Sequence, residues 1–282
     1  MSEHAADPAS REAPIHGDTV RADTVHADRV RALFDAKAAG WPAKYAAGGR
    51  LAGRLLQMAG AVGELALPGG ELLDLGCASG ELARHLAAIG YRVTGCDIAP
   101  TMLRQAAAAD VRRAVRWVRL EPGWQTLPFA DGSLDAVVSA SVLEYVPDAG
   151  AVLAECARTL RPGGILVCTV PDMTHPVRWL EWPLRLVAST SLAAALAGGA
   201  PAGGTARFTR AGGTVHRAGQ YLAYLRASRQ RRQAGWWRAA ARRAGLAPAQ
   251  AARAGRRTPL RLLVFVVPGG TRAGQPLTGE KR

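Results

Sequence analysis

The chain has 282 residues, 49% of them hydrophobic, and a formal charge of +14. That apolar fraction supports a buried core, and the length suits one catalytic domain with appendages, which excludes a wholly disordered chain and a pair of large domains. Four cysteines without C-x-x-C spacing and six scattered histidines exclude a metal-ligand cluster or a disulfide framework. They suit buried reduced thiols in a cytoplasmic protein.

Residues 1–28 are polar, alanine-rich and mixed in charge, and are expected to form a disordered leader without the basic-then-apolar pattern of an export signal. Over 29–68, the stretch Val30 to Met58 predicts cap helices broken at Trp41-Pro42 and Gly48-Gly49. Residues 69–172 then alternate in βα fashion, as in a parallel sheet covered by helices on both faces. Strands are expected near 71–76, 91–97, 115–120, 134–140 and 164–170, with helices near 80–89, 100–109 and 148–160. Over 173–234, the apolar stretch Pro176 to Leu196 is interrupted by Arg178, Glu181 and Arg185 at helical spacing. That predicts an amphipathic helix better than a membrane span. Residues 235–268 return to the core, with a helix over Gly235 to Ala244, a weak strand over 247–254 and a buried strand from Leu260 to Val267. A flexible tail is expected over 269–282.

The run from Glu71 to Pro100 carries the densest chemical signal. It reads as a strand, a turn Gly76-Cys77-Ala78-Ser79-Gly80, a helix, and a second strand closing on Asp97. Small residues in such a turn let the backbone approach a ligand, and an acid ending the second strand is placed for a ribose diol. The turn is not the G-x-G-x-x-G of a dinucleotide site, and no Gly-Lys-Ser/Thr follows it.

Asp74-Leu75-Gly76-Cys77-Ala78-Ser79-Gly80 instead resembles the first motif of class I S-adenosylmethionine-dependent methyltransferases. Leu127-Pro128-Phe129 with Asp131 to Asp135 is similar to their L-P-F-x-D-x-S-F-D stretch. Val142 to Asp148 is similar to V-L-E-H-V-x-D, with Tyr145 in place of histidine, and Leu160 to Gly164 matches the turn before the fifth strand. The resemblance implies a Rossmann-like, seven-stranded, mostly parallel sheet with the last strand antiparallel, plus N-terminal helices and a helical lid insertion.

It also implies S-adenosyl-L-methionine as cofactor. Gly76, Ala78 and Gly80 would line its methionine and ribose portions, Asp97 would take the ribose hydroxyls, and Asp74 the amino group. Ile98 and Met102 would sandwich adenine, and Ser139 would sit near the reacting methyl. Tyr45, with Trp41, Lys44 and Arg50, would reach the methionine end from the cap, or else pack and meet solvent. Two departures stand out: Ala78 replaces a usual glycine, and Gly123 stands where relatives carry an adenine-binding aspartate, leaving that role to backbone or Gln125. A lid bearing Trp179, Trp182, Leu184, Leu186 and Val187 implies a greasy acceptor pocket or a membrane-surface contact. His175 and His216 are candidate general bases, with Glu144 and Tyr145 on the acceptor side.

Between Trp182 and Gly279 there is no aspartate or glutamate, while arginines recur. Such a field draws nucleic acid, anionic lipid, an acidic carrier protein or a phosphorylated substrate, or reflects composition alone. No RNA-binding module accompanies it, which speaks against nucleic acid. The reading is therefore a cytoplasmic methyltransferase, peripheral to the inner membrane if the lid docks there. Its acceptor is a small apolar or anionic molecule, methylated on oxygen first or carbon next, of a polyketide, quinone or lipid-like kind. The alternatives are an RNA or protein methyltransferase docking through the arginine-rich half, and a non-catalytic cofactor-binding scaffold.

Overall fold

Alternation of apolar residues along the central strands assigns each side chain to one of two helical layers. The computed structural model describes residues 16–188, 219, 221–249 and 258–269. Strand β1 (Glu71–Leu75) sends Leu72 to one side of the sheet and Leu73 and Leu75 to the other. Both faces are buried, as a strand in the middle of a parallel sheet requires. Around it lie β2 (Arg92–Asp97), β3 (Val115–Arg119), β4 (Leu134–Ala140), β5 (Leu160–Pro171), β6 (Ala247–Ala249) and β7 (Leu260–Val266), in the order β3-β2-β1-β4-β5-β7-β6. β1 pairs parallel with β2 and β4, and β7 runs antiparallel to β5 and β6. This is the expected seven-stranded, mostly parallel, Rossmann-like sheet.

One face is covered by α2 (Ala52–Leu65) and α3 (Glu81–Ala88), whose Met58, Val62, Leu82 and Leu86 pack on Leu72 and Val138. On the other, α5 (Ala149–Thr159) and a C-terminal helix (Ala234–Arg243) bring Leu153, Cys156 and Trp237 against Leu73, Val137 and Phe265. Trp237 is thus a core residue. Helix α4 (Pro100–Ala109) opens directly after β2 with proline in its first turn, where the missing N–H costs nothing.

Two sequence expectations need correction. The leader expected over 1–28 is helical from His16, because α1 (His16–Asp35) finds tertiary partners: Ala27 and Val30 are buried, and His26 Nε2 donates to the Tyr145 carbonyl at 2.8 Å. Asp35 also accepts the Thr101 N–H at 2.8 Å, which ties α1 to the start of α4. Composition carried no trace of those distant contacts. The fifth strand begins at Leu160 rather than 164, with its register jumping from Leu134↔Leu160 to Ala136↔Ile165. The Arg161–Gly164 turn is absorbed there as an irregularity, eased by Gly163 at φ +81°. The short β6 ends at Ala249, and the remainder of the weak strand expected over 247–254 lies outside the described residues, as do 1–15 and 270–282.

Above the carboxyl ends of the parallel strands lie α1, two 3-10 turns (Ala38–Gly40 and Pro42–Lys44), α6 (Val177–Ala188) and a helical segment over 221–227, hereafter α7. Among the described residues, no helix is long and apolar enough to cross a membrane.

Candidate active site

The turn after β1 is held open by backbone geometry that a side chain would spoil. Gly76 sits at φ +74°, and a Cβ there would lie 2.1 Å from Val142 Cγ2. Its N–H and that of Cys77 both donate to the Cys96 carbonyl, at 2.8 and 3.0 Å, which draws the turn over the end of β2. Ala78 occupies the left-handed region at φ +48° and donates its N–H to Asp97 Oδ2 at 2.8 Å. Asp97 Oδ1 accepts the Ala99 N–H at 2.8 Å, so both carboxylate oxygens are fixed by backbone. Gly76, Ala78, Asp97 and Ile98 line one end of a cavity of about 1120 Å³.

Asp74, Ser139, Met102 and Gly80, also singled out from sequence, do not line the cavity. Asp74 is 1% exposed and its Oδ2 has no hydrogen-bond partner. Burial, reinforced by the charge of Asp97, pushes its pKa up to about 7; burial likewise raises Asp97 to about 6 against the pull of its backbone donors. Ser139 is fully buried with an unpartnered hydroxyl. Met102 is buried beside Ala38, Trp41 and Ala99. Gly80, at φ +78°, faces Trp117 rather than the cavity: a Cβ there would be 2.3 Å from the indole ring. Gly123 and Gln125 line the cavity, with the Gln125 amide donating to the Gly123 carbonyl at 3.1 Å.

The cap adds aromatic rings and cations. Phe34 meets Trp41, Tyr145 and Tyr224 edge-on, with centroids 5.5, 5.3 and 6.1 Å apart. Tyr45 does not line the cavity, but its hydroxyl accepts from Arg54 Nη2 at 2.7 Å, and Arg54 Nη1 donates to Ser141 Oγ at 2.9 Å. Arg54 and Ser141, itself at φ +60°, both line the cavity. The sequence reading missed Phe34, Arg54 and Tyr224, because no local motif joins positions that meet only across elements. Lys44 Nζ stacks 3.3 Å from the Trp41 ring centroid, and Lys37 Nζ lies 4.3 Å from that of Tyr224.

Five carboxylates line the cavity, and four of them have other duties. Asp97 holds backbone amides. Asp148 caps α5 by accepting the Gly150 and Ala151 N–H groups at 2.7 and 3.1 Å. Asp23 pairs with Arg229 at 2.8 Å. Glu181 is gripped by Arg178, Arg231 and the Tyr221 hydroxyl, which together hold its pKa below the usual carboxylate range despite burial. Glu144 remains. It is 8% exposed, accepts Ser228 Oγ at 3.2 Å and the Tyr145 hydroxyl, and burial raises its pKa. Its backbone carbonyl accepts the Arg229 and Gln230 N–H groups at 2.8 and 3.0 Å, anchoring the chain after α7.

Of the two candidate bases read from sequence, one falls among the described residues and it does not line the cavity. His175 lies outside the cavity wall, and its Nδ1 accepts the Val177 N–H at 3.2 Å, capping α6. His216 lies outside the described residues. The expected greasy lid is also turned around. α6 presents Val177, Arg178 and Glu181 to the cavity, whereas Trp179 and Trp182 are 82% and 70% exposed and do not line it. At about 100° per residue, positions 177, 178 and 181 share one face, and burying the ion cluster there turns the indoles outward. Leu184 is exposed with them. The side chains of Leu186 and Val187 lie outside the described set.

Residues 73–168 match the family described as a methyltransferase domain. A ubiquinone biosynthesis O-methyltransferase of Xanthomonas campestris is 35% identical over 111 residues, covering 39% of this chain and 46% of that protein. A demethylmenaquinone methyltransferase of Tropheryma whipplei is 40% identical over 119 residues, covering 42% and 48%. The chain thus spans about half the length of these curated relatives. In fold it resembles the methyltransferase solved with the Haloferax volcanii Trm112 activator. The TM-score is 0.55 at 22% identity, over 84% of this chain and 98% of that one.

Proposed function

We propose that residues 73–168, which match the methyltransferase-domain family within a chain of methyltransferase fold, use S-adenosylmethionine, and that the protein transfers a methyl group to a hydroxyl of a small, quinone-like aromatic acceptor. The relatives that share this domain are named for ubiquinone and menaquinone methylation. One observation carries the reading: the Asp97 carboxylate, locked by Ala78 and Ala99 at the cavity end, is electrostatically coupled to a buried Asp74 whose Oδ2 lacks a partner. An adenosyl diol and an aliphatic ammonium are what those two acids require, so the residues present fit S-adenosylmethionine.

Bound there, that cofactor supplies an electrophilic sulfonium methyl. Asp97 would take the ribose hydroxyls and Asp74 the ammonium, while Gly76 leaves room beside Val142 for close approach. Phe34, Tyr145 and Tyr224 hold a flat ring and exclude water, so that alignment contributes much of the rate. Glu144, held by neutral hydroxyls rather than by an ion pair or a helix cap, would receive the hydroxyl proton, and its raised pKa strengthens it as a base. General base assistance of this kind contributes about 10²- to 10⁴-fold.

The test is calorimetric titration of S-adenosylhomocysteine, followed by methylation assays on catechols and demethylated short-chain quinones. Expected are binding by the wild type, at least tenfold weaker binding by Asp97→Ala, and methyl transfer to the hydroxyl-bearing rings alone. No binding by the wild type would sink the reading.

A peripheral membrane contact accompanies this function. Trp179, Leu180, Trp182 and Leu184 are exposed on α6 and lie outside the cavity wall, and indoles favour the bilayer interface. The excess positive charge of the chain complements anionic lipid, and quinone-like acceptors partition into it. Vesicles containing anionic lipid should sediment the wild type and not Trp179→Ser/Trp182→Ser; equal sedimentation removes this part of the proposal.

A further inference from the structure

The cap side of the cavity is built from donors and cations without acids to balance them. Arg50 and Trp41 line it, and Lys37 and Lys44 stand beside them over the rings of Tyr224 and Trp41. Among the described residues, no carboxylate forms an ion pair with Lys37, Lys44 or Arg50. Burial and mutual repulsion lower Lys37 to about 8 and Lys44 to about 7. A second observation is independent of charge. Trp41 is only 9% exposed, and its indole Nε1–H has no acceptor. Buried donors normally have partners, and two half-buried lysines over aromatic rings with Arg50 beside them are a costly arrangement unless an anion completes it.

We propose that Lys37, Lys44, Arg50 and the Trp41 indole N–H form a subsite for an acidic group, carboxylate or phosphate, borne by the acceptor. The acceptor is then a quinone-like aromatic ring that also carries a carboxylate or phosphate, with neutral catechols and quinones as its weaker-binding analogues. Naming the acceptor as occupant rests on the methyltransferase reading; the anion subsite itself does not.

The cofactor's own carboxylate is the competing source. Arg54 answers it better, being bonded to Ser141 in the loop that carries Val142, against which Gly76 packs. Lys37 instead sits over Tyr224, within the cluster of Phe34, Tyr145 and Tyr224 that would hold the acceptor ring. An acid at this end and a hydroxyl at Glu144 would pin a flat ring from two sides.

The experiment titrates phenyl phosphate, benzoate and, as the neutral control, benzyl alcohol into the full chain with and without saturating S-adenosylhomocysteine. The acids are expected to bind the wild type at least tenfold more tightly than benzyl alcohol. Lys37→Met and Arg50→Gln should each weaken them about tenfold, while S-adenosylhomocysteine affinity stays within about twofold. Arg50 is exposed, so Arg50→Gln is the variant whose melting temperature should match the wild type. Acid affinity unchanged in both variants overturns the proposal. So does a parallel loss of S-adenosylhomocysteine affinity, which would give the cations to the cofactor. If the wild type binds no S-adenosylhomocysteine, the methyltransferase reading fails, and the titration without it still decides the anion subsite.

Discussion

Ala78 donates its backbone N–H to Asp97 Oδ2 at 2.8 Å while holding φ at +48°. The hydrogen bond pins a backbone conformation that a residue with a Cβ adopts at a cost of about 1–2 kcal/mol. Ala78→Gly should relieve that strain and lose part of the gain to greater freedom of the unfolded chain, a net rise in stability of up to about 1 kcal/mol. Ala78→Val should lower stability by more than Ala78→Gly raises it. Thermal unfolding decides both, and a Gly variant less stable than wild type contradicts the strain account.

Gly76 faces two obstacles to substitution that can be separated. A Cβ would lie 2.1 Å from Val142 Cγ2, and φ is +74°. Gly76→Ala is expected to cost about 2 kcal/mol or more, combining overpacking with the left-handed penalty. Gly76→Ala with Val142→Ala removes the clash and leaves the backbone term. The double variant should therefore be less destabilised than the sum of the two single variants, as denaturant unfolding of all three would reveal.

Asp74 and Asp97 give the ligand-free protein a pH dependence of known sign. Burial raises both pKa values, to about 7 and about 6. The native state then holds more protons than the unfolded state between about pH 4 and pH 7. Their contribution to stability is fully present below the unfolded pKa and is lost as pH rises through the folded values. Asp74→Asn should flatten the fall in melting temperature from pH 5 to pH 8, relative to wild type. An equally steep fall in the variant rules Asp74 out as its source. Pairing Asp74 with an ammonium should also release protons when cofactor binds near pH 6, measurable as a buffer-dependent heat.

Glu144 gives a prediction on rate rather than stability. Glu144→Gln should lower kcat by about 10²- to 10⁴-fold and leave S-adenosylhomocysteine affinity nearly unchanged. Ser228 donates to Glu144 at 3.2 Å and so lowers its pKa. Ser228→Ala should therefore move the acidic limb of the pH–rate profile to higher pH. A shift to lower pH, or none, would assign the proton elsewhere.

Glu181 joins α6 to the chain after α7 through Arg178 and Arg231. Glu181→Ala strands two partly buried guanidinium groups and should cost about 3–5 kcal/mol locally. Faster proteolysis within 177–188, with the sheet's amide protection unchanged, is the expected signature.

The βα order, the turn after β1 and Asp97 were legible because each is local. Strand alternation, a glycine-bearing turn and an acid at a strand end fall within a few residues of one another, where backbone sterics and period-two burial act directly. The helix from His16 was not legible, since His26 finds its partner in the loop after β4, 119 positions along the chain, and Asp35 finds its partner at Thr101. The direction of the α6 indoles was equally hidden. An amphipathic pattern says that a helix has two faces, and the ion cluster at Glu181 decides which one turns inward.

By itself, then, the sequence determined the sheet, the turn and Asp97 at one end of the cavity and the chemical kind of domain, because those depend on short-range patterning. Only the tertiary structure decided which carboxylate of the cavity wall stays outside ion pairs and helix caps, which rings gather beside it and where unbalanced cations stand. Those outcomes depend on contacts such as Ser228 with Glu144 and Arg54 with Ser141, which link residues 84 and 87 positions apart and form only when the cap closes over the strand ends.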